Sequence, residues 1–191
     1  MDYTIERLDM KIGVISDTHI HGSIKTLPKG ISEHFTGVDM IIHAGDITHP
    51  KVLNLLHKIA PVKAVKGNRG NEEKKLSRTL PSQLILKVDS YNIGVVHGLS
   101  NDFERALNYL LYKKLHLFEI ANKVLFKRLK ARFSESVDCI VFGDSHVPLI
   151  RTVNGILFFN PGAAYSTKKR RASIGILEVS KQRLKTKIIY L

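Results

Sequence analysis

Five short apolar runs in this chain end on residues that can ligate a metal. Ile12-Gly13-Val14-Ile15 leads to Asp17 and His19, Ile41-Ile42-His43-Ala44-Gly45 to Asp46, and residues 62–66 to Gly67-Asn68. Ile93-Gly94-Val95-Val96 leads to His97-Gly98, and Ile140-Val141-Phe142-Gly143 to Asp144 and His146. Short β-branched runs bounded by Gly, Asp or Asn read as buried strands. Each ligand-type residue therefore stands at a strand's C-terminal end, and in open α/β sheets the crevice beyond those ends is where ligands bind. Packing alone gives no reason for five strands to deliver carboxylate, imidazole or amide groups to one edge. Gly45, Gly67, Gly98 and Gly143 permit tight turns and close backbone approach to an ion or phosphate.

Further strand-like segments fall at residues 84–88, 149–153, 156–160, 172–179 and 184–190, with helical segments at about 28–35 and 50–59. The first half alternates βαβ, and the second is strand-rich with turns such as Asn154-Gly155, so a layered α/β protein with two packed sheets is expected. One segment interrupts this pattern. Between residues 102 and 133, Phe103, Leu107, Leu111, Leu115, Phe118, Leu125, Leu129 and Phe133 recur at helical spacing. A continuous helix there would run about 48 Å at roughly 1.5 Å per residue. That is longer than a small domain needs, so two helices or one projecting helix is expected. The segment also carries Arg105, Lys113, Lys114, Lys123, Lys127, Arg128, Lys130 and Arg132. A core-packed amphipathic helix, a homodimer contact and a polyanion-binding arm are its three readings.

With 191 residues, the chain suits one domain, taken as residues 10–191 after an N-terminal extension of residues 1–9. Cys139 is the lone cysteine, so neither an internal disulfide nor a cysteine-based metal cluster can form, and a reducing, cytoplasmic setting fits. No apolar stretch approaches the roughly 20 residues that cross a bilayer, and residues 1–10 lack a signal-peptide pattern. The 30 Lys plus Arg against 17 Asp plus Glu give a formal +13, which favours phosphate-bearing or nucleic-acid partners. A Lys-rich solvated surface gives the same count.

Taken in order, the DxH of Asp17 and His19, Gly45-Asp46, Gly67-Asn68, His97-Gly98, the GxxH ending at His146 and then Asn160-Pro161-Gly162 resemble the calcineurin-like metallophosphoesterase superfamily. Within it the chain looks closest to the small single-domain phosphodiesterases of bacteria and archaea, a branch that also contains a retromer scaffold subunit. The resemblance implies a four-layer α/β/β/α sandwich of two mixed sheets flanked by helices, here with a helical insertion near residues 102–133. It implies that Asp17, His19 and His146 hold one divalent ion, that Asp46 bridges two, and that Asn68, His97 and Asp144 complete the second site. Mn²⁺ is the expected metal, with Ni²⁺, Fe, Zn²⁺ or Mg²⁺ as alternatives. Such a pair polarises phosphate oxygens and acidifies a water, so hydrolysis needs no serine or cysteine nucleophile.

Two positions depart from the family pattern. Asp144 stands where a histidine is usual, which favours a harder ion or leaves Asp144 reaching only a bound water. Arg69 stands where larger relatives carry a histidine that can protonate the leaving group. Arg69 stays charged, so its expected role is to clamp a phosphate oxygen beside the catalytic Asn68 and His97. His21 and His49 fall in loops at the active edge as further substrate-binding candidates. His34, His57 and His116 fall in helices away from the chemistry, and His43 reads as a core histidine with a hydrogen-bond partner. The run Lys168-Lys169-Arg170-Arg171 follows the Asn160-Pro161-Gly162 turn and is either a solvated loop or a phosphate contact. The function expected is hydrolysis of nucleotide or nucleic-acid phosphodiesters. A non-catalytic scaffold and a nucleic-acid-binding nuclease are the alternatives.

Overall fold

Successive side chains of a strand point to opposite faces, and this alternation builds the layers. In β2 (Met10–Ile15), Met10, Ile12 and Val14 enter one buried cluster while Ile15 enters another. A strand apolar on both faces must be covered on both. The computed structural model describes residues 2–5, 9–19, 27–28, 30–68, 79–99, 110, 118–168 and 170–191. Its remaining elements are β1 (Asp2–Ile5), α1 (Ile31–His34), β3 (Met40–His43), α2 (Lys51–His57), β4 (Val62–Ala64), β5 (Gln83–Val88), β6 (Tyr91–Val96), α3 (Phe118–Lys130), β7 (Cys139–Val141), β8 (Leu149–Val153), β9 (Ile156–Asn160), β10 (Ser173–Ser180) and β11 (Arg183–Tyr190).

Five strands form one sheet in the order β11-β10-β2-β3-β4, and six form the other in the order β1-β5-β6-β7-β9-β8. Both are mixed. In the first, β2, β3 and β4 run parallel while β10 is antiparallel to β2 and β11. In the second, β6, β7 and β9 run parallel, flanked by the antiparallel pairs β5–β6 and β8–β9. Ile12, Val14, Ile42, Val95, Val141 and Phe159 are among the side chains packed between the sheets. Ile31 and Phe35 at α1 and Val52 and Leu56 of α2 cover the outer face of the five-stranded sheet through Ile15, Ile41 and Ile174. Leu125, Phe126 and Leu129 of α3, with Phe133, cover the outer face of the other through Ile140 and Phe158. The result is the expected four-layer α/β/β/α sandwich.

Register sets where the strands end. Ile15 pairs with His43, and His43 with Ala64, so β2, β3 and β4 finish side by side. Val95 pairs with Val141, and Val141 with Phe159, so β6, β7 and β9 do the same in the facing sheet.

Residues 2–5, expected within an extension, form the strand β1, which adds in parallel to β5 at the sheet edge. Most of the expected insertion, residues 102–109 and 111–117 with His116, lies outside the described residues. Its described end is α3, whose buried Ala121, Leu125, Phe126 and Leu129 lie against the sheet while Lys123, Lys127, Arg128 and Lys130 are exposed. Three of those cations fall in the last turn, where they oppose the negative end of the helix dipole.

Candidate metal centre

The loops beyond the parallel strand ends cross-brace one another. Ala44 N–H donates to Ile15 O at 2.8 Å and Asp17 N–H to Gly45 O at 3.0 Å, joining the ends of β2 and β3. Gly143 N–H donates to His97 O at 2.7 Å, joining those of β6 and β7. Buried Asn160 donates through Nδ2 to Gly143 O at 2.8 Å and to Ser145 Oγ at 3.1 Å, and its Oδ1 accepts Gly162 N–H. The Asn160-Pro161-Gly162 turn therefore holds the loop that carries Asp144 and His146. The backbone is left-handed at Asp17 (φ 52°), His19 (38°), Asp46 (56°), Asp144 (65°) and His146 (58°). Such conformations cost on the order of 1 kcal/mol or more each and persist where surrounding structure over-determines them. Both i, i+2 pairs, Asp17/His19 and Asp144/His146, share this geometry.

One nitrogen or oxygen from each of Asp17, His19, Asp46 and His146 falls within 4.8 Å of the others. His19 Nε2 and His146 Nε2 are 3.2 Å apart, and His146 Nε2 is 3.0 Å from Asp17 Oδ1. Donors bound at about 2.1 Å to one ion, at right angles, lie about 3 Å apart, so the spacing suits shared coordination. Asp17 Oδ2 is occupied, accepting Ser16 Oγ–H at 2.7 Å and Asp144 N–H at 3.1 Å. Its Oδ1 is buried with no hydrogen bond among the described residues.

His97 is the complementary case. Its Nδ1–H donates to Ala44 O at 2.7 Å, which turns the Nε2 lone pair inward. Nε2 is also buried without an aligned partner, although Asp46 Oδ1 lies 3.2 Å away and Asp144 Oδ1 3.7 Å. Asp46 stands between the groups, with Oδ1 accepting Asn68 N–H at 2.8 Å and Oδ2 3.7 Å from His19 Nε2. A buried carboxylate oxygen and a buried imidazole nitrogen, both unsatisfied and lined by further donors, are chemically matched to divalent cations.

Residues 10–182 match the family model of the calcineurin-like phosphoesterase superfamily domain. The chain belongs to the calcineurin-like phosphoesterase superfamily. It is 33% identical over 180 residues to a Methanocaldococcus jannaschii protein named "probable metallophosphoesterase", covering 94% of this chain and 81% of the relative. A second protein of that organism, named a phosphodiesterase, is 25% identical over 186 residues, covering 91% of this chain and 95% of the relative. Among solved structures, Vacuolar Protein Sorting 29 from Cryptosporidium parvum shares the fold with a TM-score of 0.62 at 18% identity, covering 97% of this chain and 99% of its own.

Two buried histidines of this calcineurin-like domain titrate in opposite senses. His43 accepts Gly45 N–H on Nδ1 at 3.2 Å, and its Nε2 faces Thr18 Oγ1 at 3.3 Å. Burial lowers its pKa to about 3, against weaker support for the charge from Asp17. For His97, burial also opposes the charge, but adjacent Asp46 and the charges of Asp17 and Asp144 raise its pKa to about 9. For Asp46, burial favours protonation, yet His97 and Asn68 N–H hold it below the usual carboxylate range. The His43 contribution to stability is present above its unfolded pKa of 6.5 and lost as pH falls toward 3. The His97 contribution is present below 6.5 and lost as pH rises through about 9. Denaturation midpoints of chelator-treated protein should therefore decline on both sides of pH 6.5. Saturating divalent metal should remove the alkaline decline, because coordination needs neutral His97. A chelated protein with a flat midpoint from pH 6.5 to 9 would contradict this assignment of His97.

The structure brings Asp17, His19, Asp46, His97, Asp144 and His146 together, with Asn68 reaching Asp46 through its backbone. His21 and Arg69 lie outside the described residues. His49 Nδ1 accepts Lys51 N–H at 3.1 Å at the start of α2. His34 and His57 lie in helices, as expected. Tyr165 belongs to none of the five motifs. Its ring packs edge-to-face on His19 at 4.9 Å and on His146 at 5.8 Å. Its only sequence signal is that it is an aromatic residue between the Asn160-Pro161-Gly162 turn and the basic run.

Proposed function

We propose that this phosphoesterase-family protein is a metal-dependent phosphodiesterase that hydrolyses nucleotide or nucleic-acid phosphodiesters at the Asp17–His146 cluster. The observation that carries this reading is the pair of buried, unsatisfied atoms, Asp17 Oδ1 and His97 Nε2, facing a ring of further donors. The relative named a phosphodiesterase supports the same reading. In it, Asp17, His19 and His146 would hold one ion, Asp46 would serve both, and His97, Asp144 and Asn68 would serve a second. Divalent ions bound there supply Lewis-acid stabilisation of the phosphate and a water acidic enough to ionise near neutral pH. The protein's own part is positional. The Ala44 carbonyl fixes the His97 tautomer, while Ser16 and the Asp144 amide hold Asp17 Oδ2 so that Oδ1 faces the cluster. Asp144 supplies oxygen where the family usually has imidazole, which favours Mn²⁺ or Mg²⁺ in that position. A cytoplasmic location belongs to the same proposal; no described helix is long and apolar enough to cross a membrane.

The direct test is a panel of phosphomonoesters, activated diesters, cyclic nucleotides and short oligonucleotides, run on chelated protein resupplied with Mn²⁺, Ni²⁺, Fe²⁺, Zn²⁺ or Mg²⁺. Diesters should be turned over only after metal is returned, with Mn²⁺ the best activator. The fold shared with Vacuolar Protein Sorting 29 gives the contrary outcome a meaning. Metal binding with no hydrolysis of any ester would favour a non-catalytic binding module.

A further inference from the structure

In the run Lys168-Lys169-Arg170-Arg171, Lys169 lies outside the described residues, and the fold gives the two arginines different partners. Thr167 and Arg170 pair across a tight reversal, with N–H to O distances of 2.8 and 3.2 Å. Ser166 Oγ accepts Ala172 N–H at 3.0 Å, and Ala164 N–H donates to Ser16 O, the residue before Asp17, at 3.0 Å. This segment is therefore fastened to the metal-ligand loop at one end and closed on itself at the other. Lys168 is exposed. Arg171 lies over Tyr190 of β11, 5.7 Å from the ring centre. Arg170 instead lies over Tyr165 at 4.8 Å. Tyr165 is the ring packed against both His19 and His146, with its hydroxyl 3.5 Å from His146 Nδ1.

Arg170 thus stands one aromatic ring away from two of the candidate metal ligands. Among the described residues, its buried Nε has no hydrogen-bond partner. A buried guanidinium donor left unpaired is costly unless a ligand supplies the acceptor. The Nε edge of a guanidinium presents two parallel N–H groups matched to two oxygens of one phosphate. Stacking on Tyr165 orients the guanidinium plane and offsets part of its lost hydration.

We propose that Arg170 is a substrate-binding residue that takes the diester phosphate through its Nε edge, and that Tyr165 is the positioning residue holding it beside His19 and His146. This rests on the phosphodiesterase reading and adds the cation that recognises the substrate. The test uses the full, metal-loaded chain. It measures kcat and KM on an activated diester, metal content, and the Kd of inorganic phosphate by calorimetry. Arg170→Ala should raise KM and the phosphate Kd about 10-fold, the loss expected for one charge-assisted hydrogen-bonded contact, with metal content unchanged. Arg170→Lys keeps the charge but lacks the planar edge, so it should recover little of either. Tyr165→Phe keeps the ring and should hold KM near the parent value, whereas Tyr165→Ala should raise it as Arg170→Ala does.

Unchanged KM and phosphate affinity in Arg170→Ala would overturn the proposal, as would full recovery in Arg170→Lys or loss of metal together with activity. Calorimetry separates this from the enzymatic reading. A parent protein inert toward every ester, but with phosphate binding weakened by Arg170→Ala, sinks only the phosphodiesterase assignment. An active Arg170→Ala variant with parental KM sinks only the role of Arg170.

Discussion

Asp46→Asn should lower kcat for diester hydrolysis by about 10³-fold or more while leaving the fold in place. The reason is the carboxylate's double exposure. Oδ1 faces His97 Nε2 at 3.2 Å and Oδ2 faces His19 Nε2 at 3.7 Å, so the two oxygens of Asp46 face opposite halves of the site. An amide keeps an oxygen to accept Asn68 N–H, as Asp46 Oδ1 does at 2.8 Å, and so keeps the loop. It loses the negative charge and one of the two acceptor oxygens. The check is steady-state kinetics beside metal analysis and circular dichroism. Parental turnover in a folded Asp46→Asn protein would remove the cluster from the chemistry, and collapse of the fold would reassign Asp46 to structure.

The second large effect is expected at a residue with no functional group. A Cβ on Gly67 would overlap Asp46 Oδ1 together with the Asp46 amide nitrogen and Cα. Neither backbone nor a buried carboxylate gives way cheaply, so Gly67→Ala must displace the carboxylate, the loop or both. Overpacking of this kind costs about 1–3 kcal/mol, or roughly 2–4 °C in Tm for each kcal/mol in a chain of this size. Turnover should fall by about 10²-fold, because misplacing a reactive group by an ångström costs that much. Gly37 is the control. At φ 73° with no atom within 4 Å of a built Cβ, Gly37→Asn should leave both Tm and kcat near the parent values. Equal effects at the two positions would rule out overlap with Asp46 as the cause.

Different physics decided which parts of this protein could be read before its fold. Strand positions were legible because burial on two faces writes continuous apolar runs, as in Met40–His43 and Cys139–Val141. Their ends were legible because Gly, Asp and Asn stop such runs. The layers followed, since Ile15 and Val14 on one strand require cover on opposite sides. Residues 2–5 were not legible as the edge strand β1, because an edge strand is defined by the neighbour it pairs with, here β5, more than eighty residues later. The contact of His49 Nδ1 with Lys51 N–H at the start of α2 depends on side-chain direction, which spacing does not record.

The five apolar runs ending in ligand-type residues were determined by sequence alone, because chain direction and strand length are local properties. Sequence also nominated Asp17, His19, Asp46, His97, Asp144 and His146 as a set. Only the tertiary structure decided how each would be held. The Ala44 carbonyl that selects the His97 tautomer is 53 residues away, and the Asp144 amide that occupies Asp17 Oδ2 is 127 residues away. Only the tertiary structure placed Tyr165 against two imidazoles and gave the neighbouring Arg170 and Arg171 different aromatic partners. Spacing along a chain records periodicity and turns. Which lone pair faces the cluster follows from strands that are distant in sequence meeting across two sheets.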